Sequence, residues 1–168
     1  MDNIFFKKIT INEIYKLKSL FPGTEEVWKN YRIGRLNQLK KGNIDVCVIE
    51  YNGKFVGELT INYVSHDLPT ETIPYKRVYL ETLRLSKEYQ GKGLGQRLVK
   101  FALDDLENRG YCEFTIGVED SNEIAKHIYF KYGFTNIIDK VHVEQYKPCD
   151  YTLYMRTAKK KIKVGNTM

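Results

Sequence analysis

The 168-residue chain predicts an α/β fold, a mixed sheet flanked by helices. Three observations carry this. Stretches that alternate with period two are interleaved with stretches of helical period. A strong hairpin signal, Asn52-Gly53, separates two apolar runs. From Arg77 onward the order is strand, helix, strand, helix, strand, and parallel strands need such crossovers.

The elements come in this order. Ile4 to Ile11 alternates loosely and reads as a first strand. Asn12 is placed to cap a helix through Ile14, Leu17 and Leu20. Phe21-Pro22-Gly23-Thr24 breaks it. Glu25 to Leu39 carries Val27, Trp28, Tyr31, Ile33, Leu36 and Leu39 at helical spacing. Asp45 to Glu50 and Phe55 to Tyr63 are the hairpin strands. Ser65 to Tyr75, with Pro69 and Pro74, is a loop before the strand Arg77 to Leu85. Gly93 to Arg109 is an amphipathic helix with Leu94, Leu98, Phe101, Ala102 and Leu106 on one face and Gly110 as its stop. Tyr111 to Val118 is a strand, and Asn122 to Tyr132 a helix stopped by Gly133. Phe134 to Ile138 and Tyr151 to Arg156 close the pattern as strands. No repeat or linker divides the chain. The expected organisation is one domain over 1–157 and a Lys-rich tail over 158–168.

Composition limits the function classes. A hydrophobic share of 42% and an aromatic share of 13% belong to a globular chain and exclude a disordered one. No apolar run reaches the length of a membrane span, so no membrane partner is expected. The N-terminus lacks the order of a signal peptide, and a cytoplasmic protein is the expectation. Cys47, Cys112 and Cys149 share no metal-like spacing, and His66, His127 and His142 are scattered. No metal is expected. Cys47 and Cys112 fall in strand patterns and read as small buried hydrophobes. The net charge of +6 belongs to the tail: Arg156, Lys159, Lys160, Lys161 and Lys163 are five of the 27 basic residues, which leaves 22 against 21 acids before them. A near-neutral body argues against nucleic acid as a partner.

The stretch that carries chemistry is Leu85 to Gly95, Leu-Ser-Lys-Glu-Tyr-Gln-Gly-Lys-Gly-Leu-Gly. Gly91, Gly93 and Gly95 alternate where strand becomes helix. A helix start offers free backbone N–H groups and partial positive charge, and glycines let a phosphate come close. Lys92 adds a cation. The P-loop spacing fails, because no Gly lies five residues before Gly91 and Lys92 is followed by Gly93. The dinucleotide fingerprint fails at Gln96, where it needs Gly.

Gln90-Gly91-Lys92-Gly93-Leu94-Gly95 instead resembles the acetyl-CoA pyrophosphate loop of the GNAT N-acetyltransferase superfamily, Gln/Arg-x-x-Gly-x-Gly/Ala. A second stretch resembles the same superfamily: Asn122 to Phe134 matches Asn-x-x-Ala-x-x-x-Tyr-x-x-x-Gly-Phe in residues and spacing. The resemblance covers Asp45 to Phe134 well and the rest in outline. It implies the GNAT fold, a mixed sheet of about six to seven strands with about four helices, whose central parallel strands splay to admit acetyl-CoA.

The resemblance also implies roles. Gln90, Gly91, Lys92, Gly93, Leu94, Gly95 and Gln96 would hold the pyrophosphate. Backbone groups along Leu83, Arg84 and Leu85 would pair with the pantetheine arm like an added strand, with an N–H, that of Leu83, as oxyanion donor. Asn122 and Ala125 would meet the same arm. Tyr129 would protonate the leaving thiolate as general acid. From the residues alone, Tyr129 is equally a core aromatic and Asn122 an ordinary helix cap.

Glu81 is the candidate base. Strand alternation puts it on the face of Leu83 and Leu85. Tyr79 to Leu85 resembles the corresponding strand of diamine acetyltransferases, where a Glu lies near the acceptor amine. A carboxylate on an apolar strand can relay a proton. The alternatives are an ion pair with Arg84, Arg77 or Lys76, or a water chain as base. Glu25, Glu26, Asp67 and Glu71 sit in the segments that would wall the acceptor and would draw a cation, although Glu at a helix start is also favoured by the dipole. The expected function is acetyl transfer to a primary amine of a small, polyamine-like or aminoglycoside-like molecule. A peptide or protein acceptor and a non-catalytic CoA-binding module are the other readings. Monomer and homodimer both stay open.

Overall fold

A computed structural model describes residues 3–65, 67–144 and 148–159. His66 and the tail from Lys160 lie outside the described residues. Seven strands form one sheet: β1 Ile4–Lys8, β2 Ile44–Tyr51, β3 Lys54–Asn62, β4 Arg77–Leu85, β5 Glu113–Glu119, β6 Asn136–Val143 and β7 Cys149–Thr157. Their order across the sheet is β1-β2-β3-β4-β5-β7-β6. Only β4 and β5 run parallel; every other neighbouring pair is antiparallel. The helices are a 3-10 helix over Ile11–Leu20, α1 Glu25–Lys40, α2 Leu94–Asn108 and α3 Glu123–Lys131, with a short 3-10 turn at Lys87–Tyr89.

The first helix starts differently from expectation. Thr10, not Asn12, is its cap: Glu13 accepts the Thr10 backbone N–H at 2.9 Å and its hydroxyl at 3.2 Å. This reciprocal arrangement satisfies the helix start better than a lone Asn, and it ends β1 at Lys8. α1 begins where the sequence placed it, with Thr24 Oγ1 accepting from Val27.

Each face of the sheet carries a core. Cys47, Ile49, Leu59, Ile61, Val78, Leu80, Phe114 and Ile116 pack against Leu94, Leu98, Ala102 and Leu106 of α2. Ile44, Val46, Val48 and Phe55 on the other face meet Ile14, Leu17 and Trp28. β5 begins two residues later than expected. Tyr111 returns its N–H to Leu106 to close α2, and Glu113 is the first residue to pair, opposite Arg77, whose Nε lies 2.7 Å from its carboxylate. Cys112 therefore stays outside the strand and is exposed, while Cys47 is buried as expected.

Two irregularities mark β4. Glu58 pairs with Arg84 and Thr60 with Glu81, so Leu59 alone faces Thr82 and Leu83. This is a β-bulge. At it Thr82 takes φ +57°, the left-handed region that β-branched residues avoid. The parallel ladder to β5 runs only from Arg77–Glu113 to Leu80–Ile116. Beyond it β4 and β5 part.

Candidate active site

The gap left by the parting strands continues into a cleft of about 880 Å³ that runs from β4 and β5 to the starts of α2 and α3. At one end is the start of α2. Gly93 is its cap, with φ +73°, and Gly91 has φ +70°. No side chain caps this helix and its first turn holds no acid, so its N–H groups and positive end face the cleft uncompensated. A β-carbon at Gly91 or Gly93 would meet nothing within 4 Å, so backbone conformation is what requires glycine there. At Gly95 the reason is contact: a β-carbon would lie 3.3 Å from Leu85 Cδ1, and α2 rests closely on β4.

Ser86 donates its N–H to Val56 at 2.9 Å, so Ser86 and, two residues back, Arg84 face β3. Leu83 and Leu85 turn their backbone groups the other way, toward the gap. Gln90 reaches in from the glycine loop and donates its side-chain amide to the Leu85 carbonyl at 3.0 Å.

Of the expected site residues, Glu81, Leu83, Leu85, Gln90, Gly91, Gly93, Leu94, Gly95, Gln96, Asn122, Ala125 and Tyr129 all line this cleft. Two do not. Arg84 points to the opposite face, where its NH1 lies 3.3 Å from Glu58 and its guanidinium covers the Phe21 and Tyr31 rings at 5.6 and 5.7 Å. Lys92 rests over Tyr89 at 5.6 Å. Asn122 caps α3, accepting the Ala125 N–H at 3.0 Å. Tyr129, 8% exposed, packs edge-on against Phe134 with centroids 6.1 Å apart. Burial pushes its phenol up to about 12, so it is protonated near neutrality and able to donate.

Glu81 is placed differently from the alternation argument. The bulge adds one residue and flips the phase of the strand, so Glu81 shares its face with Arg84, not with Leu83 and Leu85. Its ion-pair partner is Arg35 of α1, at 3.1 Å; Arg77 and Lys76 both bind Glu113. Glu81 lines the cleft and also a second cavity of about 430 Å³ on the α1 side. That cavity is walled by Tyr31, Arg35, Gln38, Asn62, Ser65 and Asp67 among others.

The acids expected around the acceptor divide between two places. Glu25 pairs with Lys18 and, with Glu26, lines a separate depression. Asp67 lines the second cavity, and Glu71 is buried behind it, accepting from Ser65 Oγ. Burial raises the Glu71 carboxyl, and the nearby charges of Asp67 and Glu81 raise it further. The fully buried Glu58 is likewise raised by burial, with Arg84 and Arg35 pulling it back.

An uncapped helix start at a glycine loop, strand backbone facing a gap, a protonated phenol and a carboxylate between two cavities are groups that thioester aminolysis can use. The profile of the acetyltransferase (GNAT) family matches residues 11–134. The chain belongs to this family. Both motifs of the GNAT resemblance fall inside the matched residues. N-alpha-acetyltransferase 30 of Schizosaccharomyces pombe is 32% identical over 83 residues, 49% of this chain and 52% of that protein. Thialysine N-epsilon-acetyltransferase of Mus musculus is 28% identical over 82 residues, 49% of this chain and 48% of that one. The chain thus spans about half the length of these two relatives. A GNAT family acetyltransferase from Elizabethkingia anophelis, solved with acetyl-CoA bound, has the same fold: TM-score 0.64 at 18% identity, over 94% of this chain and 100% of that one.

The GNAT motifs did not point to Arg35, Thr82 or Tyr79, which stand at or beside Glu81. Arg35 lies 46 residues before its partner, on a helix whose outer face is rich in charge, and no local pattern marks it.

Proposed function

We propose that the protein transfers an acetyl group from acetyl-CoA to a primary amine of a small cationic molecule, polyamine-like or aminoglycoside-like. The observation that carries this reading is Glu81, the one expected catalytic residue that lines both cavities. The cleft has the groups to hold a pantetheine thioester. The wall of the second cavity carries two carboxylates, Asp67 and Glu81, against one cation, Arg35. Such a field draws an ammonium group rather than a carboxylate. The likeness to thialysine N-epsilon-acetyltransferase fits an amine of this kind.

Bound acetyl-CoA supplies the activated carbonyl. The bound ammonium first loses one proton to solvent and becomes a neutral amine. Glu81, directly or through water, takes the second proton that the nitrogen sheds as its C–N bond forms, and then returns it to solvent. The Leu83 N–H faces the gap and is available to the carbonyl oxygen as negative charge builds there. As the C–S bond breaks, Tyr129 gives its phenolic proton to the sulfur and regains one from solvent. Amide and free thiol are the products, and protons balance.

Free-thiol release from acetyl-CoA, measured against polyamines, aminoglycosides, amino acids and peptides, tests the reading. The expected outcome is the highest kcat/KM for a di- or polyamine, falling as salt screens the acidic wall. The second reading, a peptide or protein amine, has the 32% identity to N-alpha-acetyltransferase 30 in its favour. It is supported if only peptides release thiol. Binding of acetyl-CoA with no release against any amine would leave a non-catalytic module.

A further inference from the structure

We propose that Arg35 is a positioning residue that holds the β4 bulge in its open form and aims Glu81 at the acceptor cavity. This rests on the acetyltransferase reading above. The guanidinium is a two-pronged contact: NH1 donates to Glu81 Oε1 at 3.1 Å and NH2 to Thr82 Oγ1 at 3.1 Å. The two acceptors are consecutive residues, one at the end of the ordered strand and the next at the centre of the bulge. Arg35 is itself held in place. Its side chain is 14% exposed and covers the ring of Tyr31, one helical turn earlier, at 5.0 Å.

The conformation of Thr82 gives the contact its significance. A threonine at φ +57° persists only where neighbours over-determine it. A regular strand would remove the strain and restore the alternation. It would also swing Glu81 to the face of Leu83 and Leu85, away from the second cavity, and bring β4 back toward β5. The fork from α1 opposes these changes, because its two bonds hold Glu81 and Thr82 together in the bulged arrangement. Lysine has the charge but one nitrogen on a flexible stem, and cannot replace a planar fork. Arg35 thereby ties the acceptor wall to the width of the donor cleft.

The two arms of the fork are separable by glycine. Glycine adopts positive φ without penalty, so Thr82→Gly should keep the bulge with no help from Arg35. The experiment compares the parent, R35K, R35M, T82G and the double variant R35M/T82G. Acetyl-CoA affinity is measured by calorimetry, kcat and the acceptor KM by thiol release, and folding by thermal denaturation. In R35M the bulge loses its hold, and acetyl-CoA affinity should fall about tenfold, the ratio matching the left-handed penalty of a side-chain-bearing residue. Its kcat should fall on the order of a hundredfold, as for other misplacements of a reacting group. R35K should show the kcat loss even if R35M proves too unstable to purify. The deciding comparison is R35M/T82G: acetyl-CoA affinity should return to within about threefold of the parent while kcat stays low, since glycine repairs the bulge and not the aim of Glu81. T82G alone should bind acetyl-CoA like the parent. The proposal is overturned if R35K keeps parental kcat, or if affinity in the double variant is no better than in R35M. A parent that neither binds nor turns over acetyl-CoA would instead remove the underlying reading.

Discussion

Tyr129 is the residue on which the chemistry can be tested most simply. It is buried against Phe134, lines the cleft and has a phenol raised by burial. Tyr129→Phe removes one hydroxyl and almost no packing. We expect turnover to fall on the order of a hundredfold where chemistry limits the rate, the usual scale for a lost general acid, with acetyl-CoA affinity nearly unchanged. Parental turnover in the variant would return Tyr129 to the core. At this scale the sequence was only partly legible. Tyr129 and Asn122 could be found because their type and spacing repeat a motif. Glu81 could be found, but its direction could not. That depends on the extra residue at Thr82, and nothing in Leu80-Glu81-Thr82-Leu83 announces a bulge. Arg35 was silent for a related reason. Its role exists only through a contact across 46 residues of chain.

Among the elements, those with local causes were readable. The hairpin came from Asn52-Gly53, both at positive φ. The buried side of α2 came from the spacing of Leu94, Leu98, Ala102 and Leu106. β6 was read too short, ending at Ile138 where the strand reaches Val143. It is an edge strand paired only to β7, and the register shift between Ile137 and Asp139 interrupts its alternation, which resumes only over the short stretch Lys140 to Val143. The start of α2 carries the prediction at this scale. Gly93 caps the helix at φ +73° with open space on the side where a β-carbon would stand. Gly93→Val should cost about 1–2 kcal/mol of stability through left-handed strain. It should weaken acetyl-CoA binding much more than that strain explains, because the branched side chain occupies the approach to the helix N–H groups. Calorimetry on the folded variant decides it. Undiminished affinity would remove the loop from the binding site.

For the whole molecule, the feature that matters is how little joins the two halves of the sheet. β1 to β4 form one antiparallel block and β5, β7 and β6 another, and the joint is a parallel ladder of four residue pairs. A ligand lying between Leu83–Leu85 and β5 bridges both blocks. Acetyl-CoA should therefore stabilise the fold in proportion to its binding: about 2.7 kcal/mol at a hundredfold excess over Kd, a rise on the order of 5–10 °C in Tm. Pantetheine alone, which cannot reach the glycine loop, should give much less. A melting curve indifferent to acetyl-CoA would mean that the gap is not where it binds. The short ladder also bears on the end of the catalytic cycle. Acetyl transfer removes only a two-carbon cap from the donor, while everything that spans the two blocks stays attached to the free thiol. On the proposed reading, the spent coenzyme would thus be held by nearly the same contacts as the fresh one. Its departure, which would have to part the blocks again, is then the expected bottleneck: rapid-mixing kinetics should show a first turnover faster than the later ones, and the free coenzyme should compete with its own precursor.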